Sequence, residues 1–321
     1  MRILVTGGLG YLGGRVSNAF SNLGHEVTIT TRKSNRSFAN NSSLKFTNPD
    51  WGSESELFSI CAEMDLIIHA AGVNAAACEL DPCFALEFNG NATGRLIRAA
   101  EKSEVKSFVY LSTAHVYANP LVGYIDENTA PSNSHPYATS HLAGELKVLE
   151  RGSQSKSKMK RHVVRLSNVY GSPNTLLTDC WNLFINDIAK QIAMNKSILL
   201  RSDPSHERDF LAMGDFLNLM IGFTLEDKDN LLPSLINFGS GSAMSLIDVA
   251  NKVSEIAVDV FGFRPPILNN PSKLVKEKTS FQYATKFKTI SDRYRSNSME
   301  KEIKQLLKFT KNNFGQDFYG G

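Results

Sequence analysis

The sequence predicts an α/β fold, a doubly wound parallel sheet followed by a smaller C-terminal α/β domain. Three observations predict it. Short β-branched runs alternate with amphipathic helical patterns through residues 2–110; a glycine-rich turn separates the first run from the first helix; and the alternation becomes less regular after residue 166. Strand–helix alternation at this spacing implies right-handed crossovers and a sheet covered on both faces.

The elements follow in order. Residues 2–6 read as a strand and 12–23 as a helix closed by Gly24. Strands are expected at 26–31, 44–47 and 66–70, a single long helix from Pro82 to Glu101, and a fifth strand at 107–112. A helix opens at Pro136, and 162–166 is again a strand. Beyond it, helices near 179–195 and 246–261 alternate with short strands at 197–200 and 235–238. Polar segments at 34–43 and 152–160 read as surface loops.

Composition narrows the class. Of 321 residues, 42% are hydrophobic and 21% charged, enough apolar material for a sizeable core. A net charge of +3 is too small to argue for nucleic acid or a membrane surface. Nothing resembles a secretory leader or an uncharged apolar stretch of about 18 residues, so a cytoplasmic protein without a membrane span is expected. Cys61, Cys78, Cys83 and Cys180 lack zinc-site spacing, so no metal is expected and the thiols read as reduced.

Thr6-Gly7-Gly8-Leu9-Gly10-Tyr11-Leu12-Gly13 lies between the first strand and the first helix. Glycines there let the backbone turn sharply and approach a pyrophosphate on the helix N-terminus, the Rossmann dinucleotide arrangement. Gly7, Gly10, Leu12 and Gly13 are therefore cofactor-binding candidates. Residues 1–171 read as the dinucleotide-binding domain, and 172–321 as mainly substrate-binding, with crossings back to the main sheet. The second strand ends in Thr30-Thr31-Arg32-Lys33-Ser34, without the carboxylate that binds ribose hydroxyls in an NAD site. Hydroxyls and cations suit a 2′-phosphate, so NADP(H) is favoured over NAD(H), with Arg32 as a contact.

Thr113-Ala114-His115-Val116-Tyr117 ends the fifth strand, and Pro136-Tyr137-Ala138-Thr139-Ser140-His141 opens a helix, with Tyr137 24 residues after Thr113. Together with the glycine turn, these segments resemble the extended short-chain dehydrogenase/reductases, in particular the nucleotide-sugar epimerases, dehydratases and ketoreductases. Further segments carry the resemblance: His69-Ala70-Ala71-Gly72, Asn91-Ala92-Thr93-Gly94, Arg165-Leu166-Ser167-Asn168-Val169-Tyr170-Gly171, Asn182-Leu183, Arg208-Asp209-Phe210 and Asn237-Phe238-Gly239-Ser240-Gly241. The match runs to about residue 255 and fades beyond.

The resemblance implies that Tyr137 is the general acid/base and that Thr113 bonds the reacting oxygen. It implies that Asp50, Ala70 and Ala71 line the cofactor, and that Asn168, Asn182, Leu183 and Arg208 hold a nucleotide-sugar substrate. In the family a lysine four residues after the tyrosine helps to activate it; here His141 stands there, as a cofactor-binding and catalytic candidate. A neutral imidazole supplies no standing charge, although Glu145 at i+4 is placed to protonate it. Dehydratases of the family follow the threonine with Asp-Glu. Ala114-His115 argues against dehydration, because Ala114 cannot donate a proton. A 4-ketoreductase and a 4-epimerase both remain, as does a non-catalytic NADP(H)-binding sensor or scaffold. The resemblance also leaves room for a homodimer.

Overall fold

The structure, a computed structural model, describes residues 1–32, 43–150, 157–225, 233–269, 280–295 and 299–315. In chain order the first elements are β1 (Arg2–Thr6), α1 (Tyr11–Asn22), β2 (Glu26–Thr30), β3 (Lys45–Thr47), α2 (Glu54–Cys61), β4 (Leu66–His69), α3 (Ala75–Leu80) and α4 (Pro82–Ala85). There follow α5 (Thr93–Lys102), β5 (Ser107–Thr113), β6 (Gly123–Ile125), α6 (Pro136–Leu149), β7 (Lys160–Leu166), β8 (Asn168–Tyr170), α7 (Phe184–Asn195), β9 (Ile198–Leu200) and β10 (Glu207–Ala212). The chain continues through α8 (Met213–Leu225), β11 (Leu235–Phe238), β12 (Ala243–Ser245), α9 (Leu246–Phe261), β13 (Ile267–Asn269), β14 (Phe281–Tyr283), α10 (Lys288–Tyr294) and α11 (Met299–Phe314).

Two compact units form. The first comprises Met1–Pro120, Glu127–Leu166 and Met220–Asn237. Its seven-stranded sheet has the order β11-β7-β5-β4-β1-β2-β3, and the pairings from β7 through β3 are all parallel. The order reverses direction between β1 and β4, the switch point where open α/β sheets bind ligands. Ile3, Leu4 and Val5 of β1 and Leu66, Ile67 and Ile68 of β4 are all fully buried, as strands covered on both faces must be. Leu96 and Ala100 of α5 pack with Leu57, Phe108 and Val148 against one face.

The long helix expected from Pro82 to Glu101 is helical throughout but not uniform. Residues Leu86–Ala92 between α4 and α5 are π-helical, which fits one more residue into the run than an α-helix holds.

The second unit comprises Leu121–Asp126, Ser167–Leu219 and Phe238–Gly321. After a first excursion at Leu121–Asp126, the chain returns to it at Ser167, ahead of the Gly171 boundary read from the sequence, because β7 ends at Leu166 and β8 pairs with β10 instead. The unit holds a three-stranded sheet, β12-β10-β8, and two two-stranded ones, β13-β9 and β14-β6. Ile188, Ile192, Val249, Val253, Ile303 and Leu306 from α7, α9 and α11 form its core. Ser245 caps α9 by accepting the Asp248 N–H at 3.1 Å, and Gly262, at φ +81°, ends it. The helix expected from 179 starts only at Phe184, because 180–183 form a turn in which the Cys180 carbonyl accepts the Leu183 N–H at 3.3 Å. Among the described residues no helix is long and apolar enough to cross a membrane.

Candidate active site

The glycine turn is fixed by contact. Gly7 has φ +66°, and a Cβ on it would sit 2.9 Å from the Ala71 Cα and N atoms; a Cβ on Gly13 would lie 2.4 Å from the Gly7 carbonyl oxygen. No side chain larger than hydrogen fits at either place. Gly10 is the N-cap of α1, with no side chain closing the first turn and no acidic residue in it, and Leu12 lies in that turn. The positive end of the helix is therefore left for an anion.

Behind this turn, Thr6 Oγ1 accepts the Ala70 and Ala71 N–H groups, each at 3.1 Å, and lies 2.6 Å from His69 Nδ1. His69 Nε2 is 2.8 Å from Thr93 Oγ1, which donates to the Asn89 carbonyl. With both lone-pair sides of Thr6 occupied, its proton goes to Nδ1, and His69 donates from Nε2. Burial, and secondarily His141, hold this imidazole down at about 3, so it is neutral.

At the end of β2, Thr30 Oγ1 accepts the Gly7 N–H at 3.1 Å, and Arg32 is exposed. Lys33 and Ser34 lie outside the described residues. Asp50 is exposed, and its Oδ1 accepts the Gly52 N–H at 2.8 Å within its own turn.

Thr113 and Tyr137 meet. β5 ends at Thr113, whose Oγ1 accepts the His115 N–H at 3.1 Å and which hydrogen-bonds Tyr137. α6 begins with Pro136 at its first position, and His135 Nδ1 accepts the Tyr137 N–H at 3.1 Å, fixing the helix start beside the strand end. Burial pushes the Tyr137 phenol above its ordinary value, and the Thr113 bond only partly opposes this. His141 lies one turn on, its ring edge-on to Tyr137 with centroids 4.6 Å apart.

Glu145 does not protonate His141. The carboxylate accepts from Ser112 and is held in two-pronged fashion by Arg165, with Nε 3.0 Å from Oε1 and Nη2 2.5 Å from Oε2. His141 Nδ1 instead faces the Tyr110 hydroxyl at 3.1 Å, and burial holds its imidazole at about 4. At neutral pH His141 carries no charge.

Asn91 stands outside this group of bonded residues. It is exposed and bonds Glu87, whereas Asn89 is buried, donates to Ser140 Oγ at 3.0 Å and accepts the Val73 N–H at 2.9 Å. Two residues apart on a helix, Asn89 faces inward and Asn91 outward.

In the second unit, Asn168 donates to the Asp209 carbonyl at 2.9 Å. Asn182 is exposed, and Leu183 is the extended residue that starts α7. Arg208, on β10 opposite Met244 of β12, has no ion-pair partner among the described residues, and burial lowers its pKa. Neighbouring Asp209 is not its partner. Its Oδ1 accepts from Ser167 Oγ at 2.6 Å and the Ser240 N–H at 2.7 Å, and its Oδ2 accepts the Gly241 N–H at 2.9 Å. A half-buried guanidinium without a carboxylate is a ready anion site.

Residues 3–239 match the family model described as the NAD dependent epimerase/dehydratase family. The chain belongs to this family. Among similar proteins, the dTDP-D-glucose 4,6-dehydratase of Homo sapiens is 25% identical over 272 residues, covering 79% of this chain and 73% of its own. The UDP-glucose 4-epimerase of Haemophilus influenzae is 26% identical over 274 residues, covering 78% and 80%. The UDP-glucose 4-epimerase of Thermotoga maritima, solved with UDP-glucose, shares the fold at a TM-score of 0.79 and 18% identity, over 97% of this chain and 99% of that one. The UDP-glucuronic acid 4-epimerase of Bacillus cereus, solved with UDP-glucuronic acid and NAD, does so at 0.77 and 20%, over 97% and 99%.

Membership of the epimerase/dehydratase family does not choose between reactions, since both kinds of enzyme stand among the relatives. Nor does it account for the buried Glu145–Arg165 pair or for Asn89, which reading by motif passed over. The 20-residue separation of Glu145 and Arg165 gives no local signal of their contact.

Proposed function

We propose that this chain binds NADP(H) and reduces the keto group of a nucleotide-linked sugar at a ring carbon, acting as a 4-ketoreductase. The observation that carries the reading is the Thr113–Tyr137 pair beside a neutral His141. A tyrosine with a raised pKa holds its proton, and reduction needs a proton donor. Oxidation, the first step of an epimerase, needs the phenolate, which is harder to form when no charged side chain of the described residues stands in the lysine's place beside Tyr137.

The residues present fit a dinucleotide. Gly7 and Gly13 pack so closely on neighbouring backbone that no Cβ fits, which keeps the turn tight, and α1 offers an uncapped N-terminus to the pyrophosphate. When bound, the reduced nicotinamide supplies the hydride. Thr113 orients the carbonyl oxygen, and Tyr137 gives that oxygen its proton as the C–H bond forms. The tyrosine then takes a proton back from solvent. Thr31 and Arg32 at the end of β2, without a carboxylate, support NADP(H) over the NAD of similar solved structures. Arg208 suits the diphosphate of the substrate, and Ala114-His115 argues against dehydration.

The test follows absorbance at 340 nm with NADPH and a panel of 4-keto nucleotide sugars, beside titrations of NADP(H) and NAD(H). NADPH consumption is expected, with NADP(H) bound at least about tenfold tighter and the preference lost in Arg32→Ala. Arg208→Ala should weaken nucleotide-sugar binding by about tenfold or more without altering cofactor affinity. The missing cation favours a second reading, a cofactor-binding protein that turns nothing over. Binding without turnover across the panel would select it.

A further inference from the structure

We propose that Tyr110 is a positioning residue that fixes His141 in a single neutral tautomer, with Nδ1 accepting and Nε2–H aimed at the end of β4 to donate to a cofactor ribose hydroxyl. The ribose limb rests on the reading of this face as a cofactor site; the tautomer limb does not.

Hydrogen-bond accounting carries the assignment. Tyr110 is 1% exposed, and among the described residues its hydroxyl has one partner, His141 Nδ1 at 3.1 Å. If Nδ1 carried the proton, the tyrosine would accept it and leave its own O–H buried and unmade. That cost is larger than the gain from one neutral bond. Only the arrangement in which Tyr110 donates satisfies both groups.

The hydroxyl cannot turn away. It lies against the backbone of α6, where a Cβ on Gly144 would be 2.6 Å from it and 2.5 Å from the Asn89 carbonyl oxygen. Ring stacking on His69, centroids 5.4 Å apart, holds the phenol from the other side. The groups facing His141 are thus Tyr110 from β5, Tyr137 from α6 and neutral His69 from β4, none of them a carboxylate.

The opposite edge of the imidazole meets Gly72. Nε2 would lie 3.8 Å and Cε1 3.7 Å from a Cβ there, and Nε2 bonds no other group among the described residues. Gly72 directly follows Ala71, against which the glycine turn packs. The donor therefore points to the same sheet end as the pyrophosphate turn. A lysine at this position would need no such orientation, because its three N–H donors rotate freely. A neutral histidine has one donor, and a second residue must set its direction.

The experiment records long-range 15N–1H spectra of the full chain at pH 7, with His141 assigned by its loss in His141→Gln. The expected pattern is a protonated Nε2 and an unprotonated Nδ1. In Tyr110→Phe that pattern should become mixed or reversed, and cofactor binding should weaken about threefold to tenfold. In the His141→Lys background, Tyr110→Phe should leave cofactor binding unchanged. A protonated Nδ1 in the wild type, or an unaltered tautomer in Tyr110→Phe, overturns the proposal. If Tyr110→Phe does not fold, the wild-type spectrum still decides. Should no form bind either cofactor while the Nε2–H pattern is present, the cofactor reading falls and the tautomer assignment stands.

Discussion

One turn of α6 separates His141 from Glu145, and the two are buried in opposite electrical states. Glu145 is 1% exposed and charged, its carboxylate filled by Arg165 and Ser112. Arg165 is fixed in turn, its guanidinium 4.7 Å from the centre of the Tyr117 ring, whose hydroxyl donates to Asn237 at 2.7 Å. His141 is 7% exposed and neutral, facing a tyrosine on each side. A buried charge survives only with a matched partner; where none is supplied, the group gives up its charge. The difference teaches that this helix has the means to bury an ion, and that the residues around Tyr137 leave it uncharged.

Four experiments would break or sharpen that contrast. The largest effect is expected from Tyr137→Phe, which removes the proposed proton donor and should lower kcat of the proposed reduction by about a thousandfold. Retained activity would place the chemistry elsewhere.

Glu145→Gln should follow, since it strands the Arg165 charge. A loss of about 3 kcal/mol of unfolding free energy is expected in urea titrations. A change under about 1 kcal/mol would mean that the pair is not the buried ion pair described here.

Acid comes next. The imidazoles of His69 and His141 fall from 6.5 to about 3 and about 4 on folding. Below pH 6.5 the unfolded chain takes up protons that the folded chain refuses. Their contribution is therefore complete above pH 6.5 and is lost as the pH falls toward 4. Between pH 6.5 and 5, His141→Gln should lose about 1.5 kcal/mol less stability than the wild type. Equal losses would mean that His141 is protonated in the fold.

The smallest effect is directional. His141→Lys restores a cation beside Tyr137 and should raise kcat for oxidation of a nucleotide sugar at pH 7 by about tenfold more than kcat for reduction, the equivalent of one pKa unit. Equal acceleration of both directions would remove the argument for a reductase.

The large unit was legible because its signals are redundant. β1, β4 and β5 are buried runs between turn residues, and Gly7 and Gly13 occupy places where only glycine fits. Thr113 and Tyr137 were legible from the motifs that place one at a strand end and the other at a helix start. Glu145 was misread for a physical reason. Helix spacing puts it beside His141, but Arg165 on β7 offers two parallel hydrogen bonds and a full charge, which outweigh a neutral imidazole. The small unit was harder to read. Six of its strands, β6, β8, β9, β12, β13 and β14, are three residues long, too short for a period of two to stand out.

The π-helical stretch at Leu86–Ala92 has a consequence for how this sequence tolerates change in length. An α-helix advances about 100° per residue, so one added residue rotates everything before it by that angle relative to everything after. Asn89 lies inside this stretch and Thr93 just after it, with the Thr93 hydroxyl donating to the Asn89 carbonyl at 2.8 Å. Deleting one residue between Leu86 and Asn89 would yield a more regular helix. It would also swing the segment from Pro82 onward by more than a quarter turn against α6, which packs on it. The expected cost is the loss of the bonds by which one asparagine, Asn89, reaches both Ser140 and Val73.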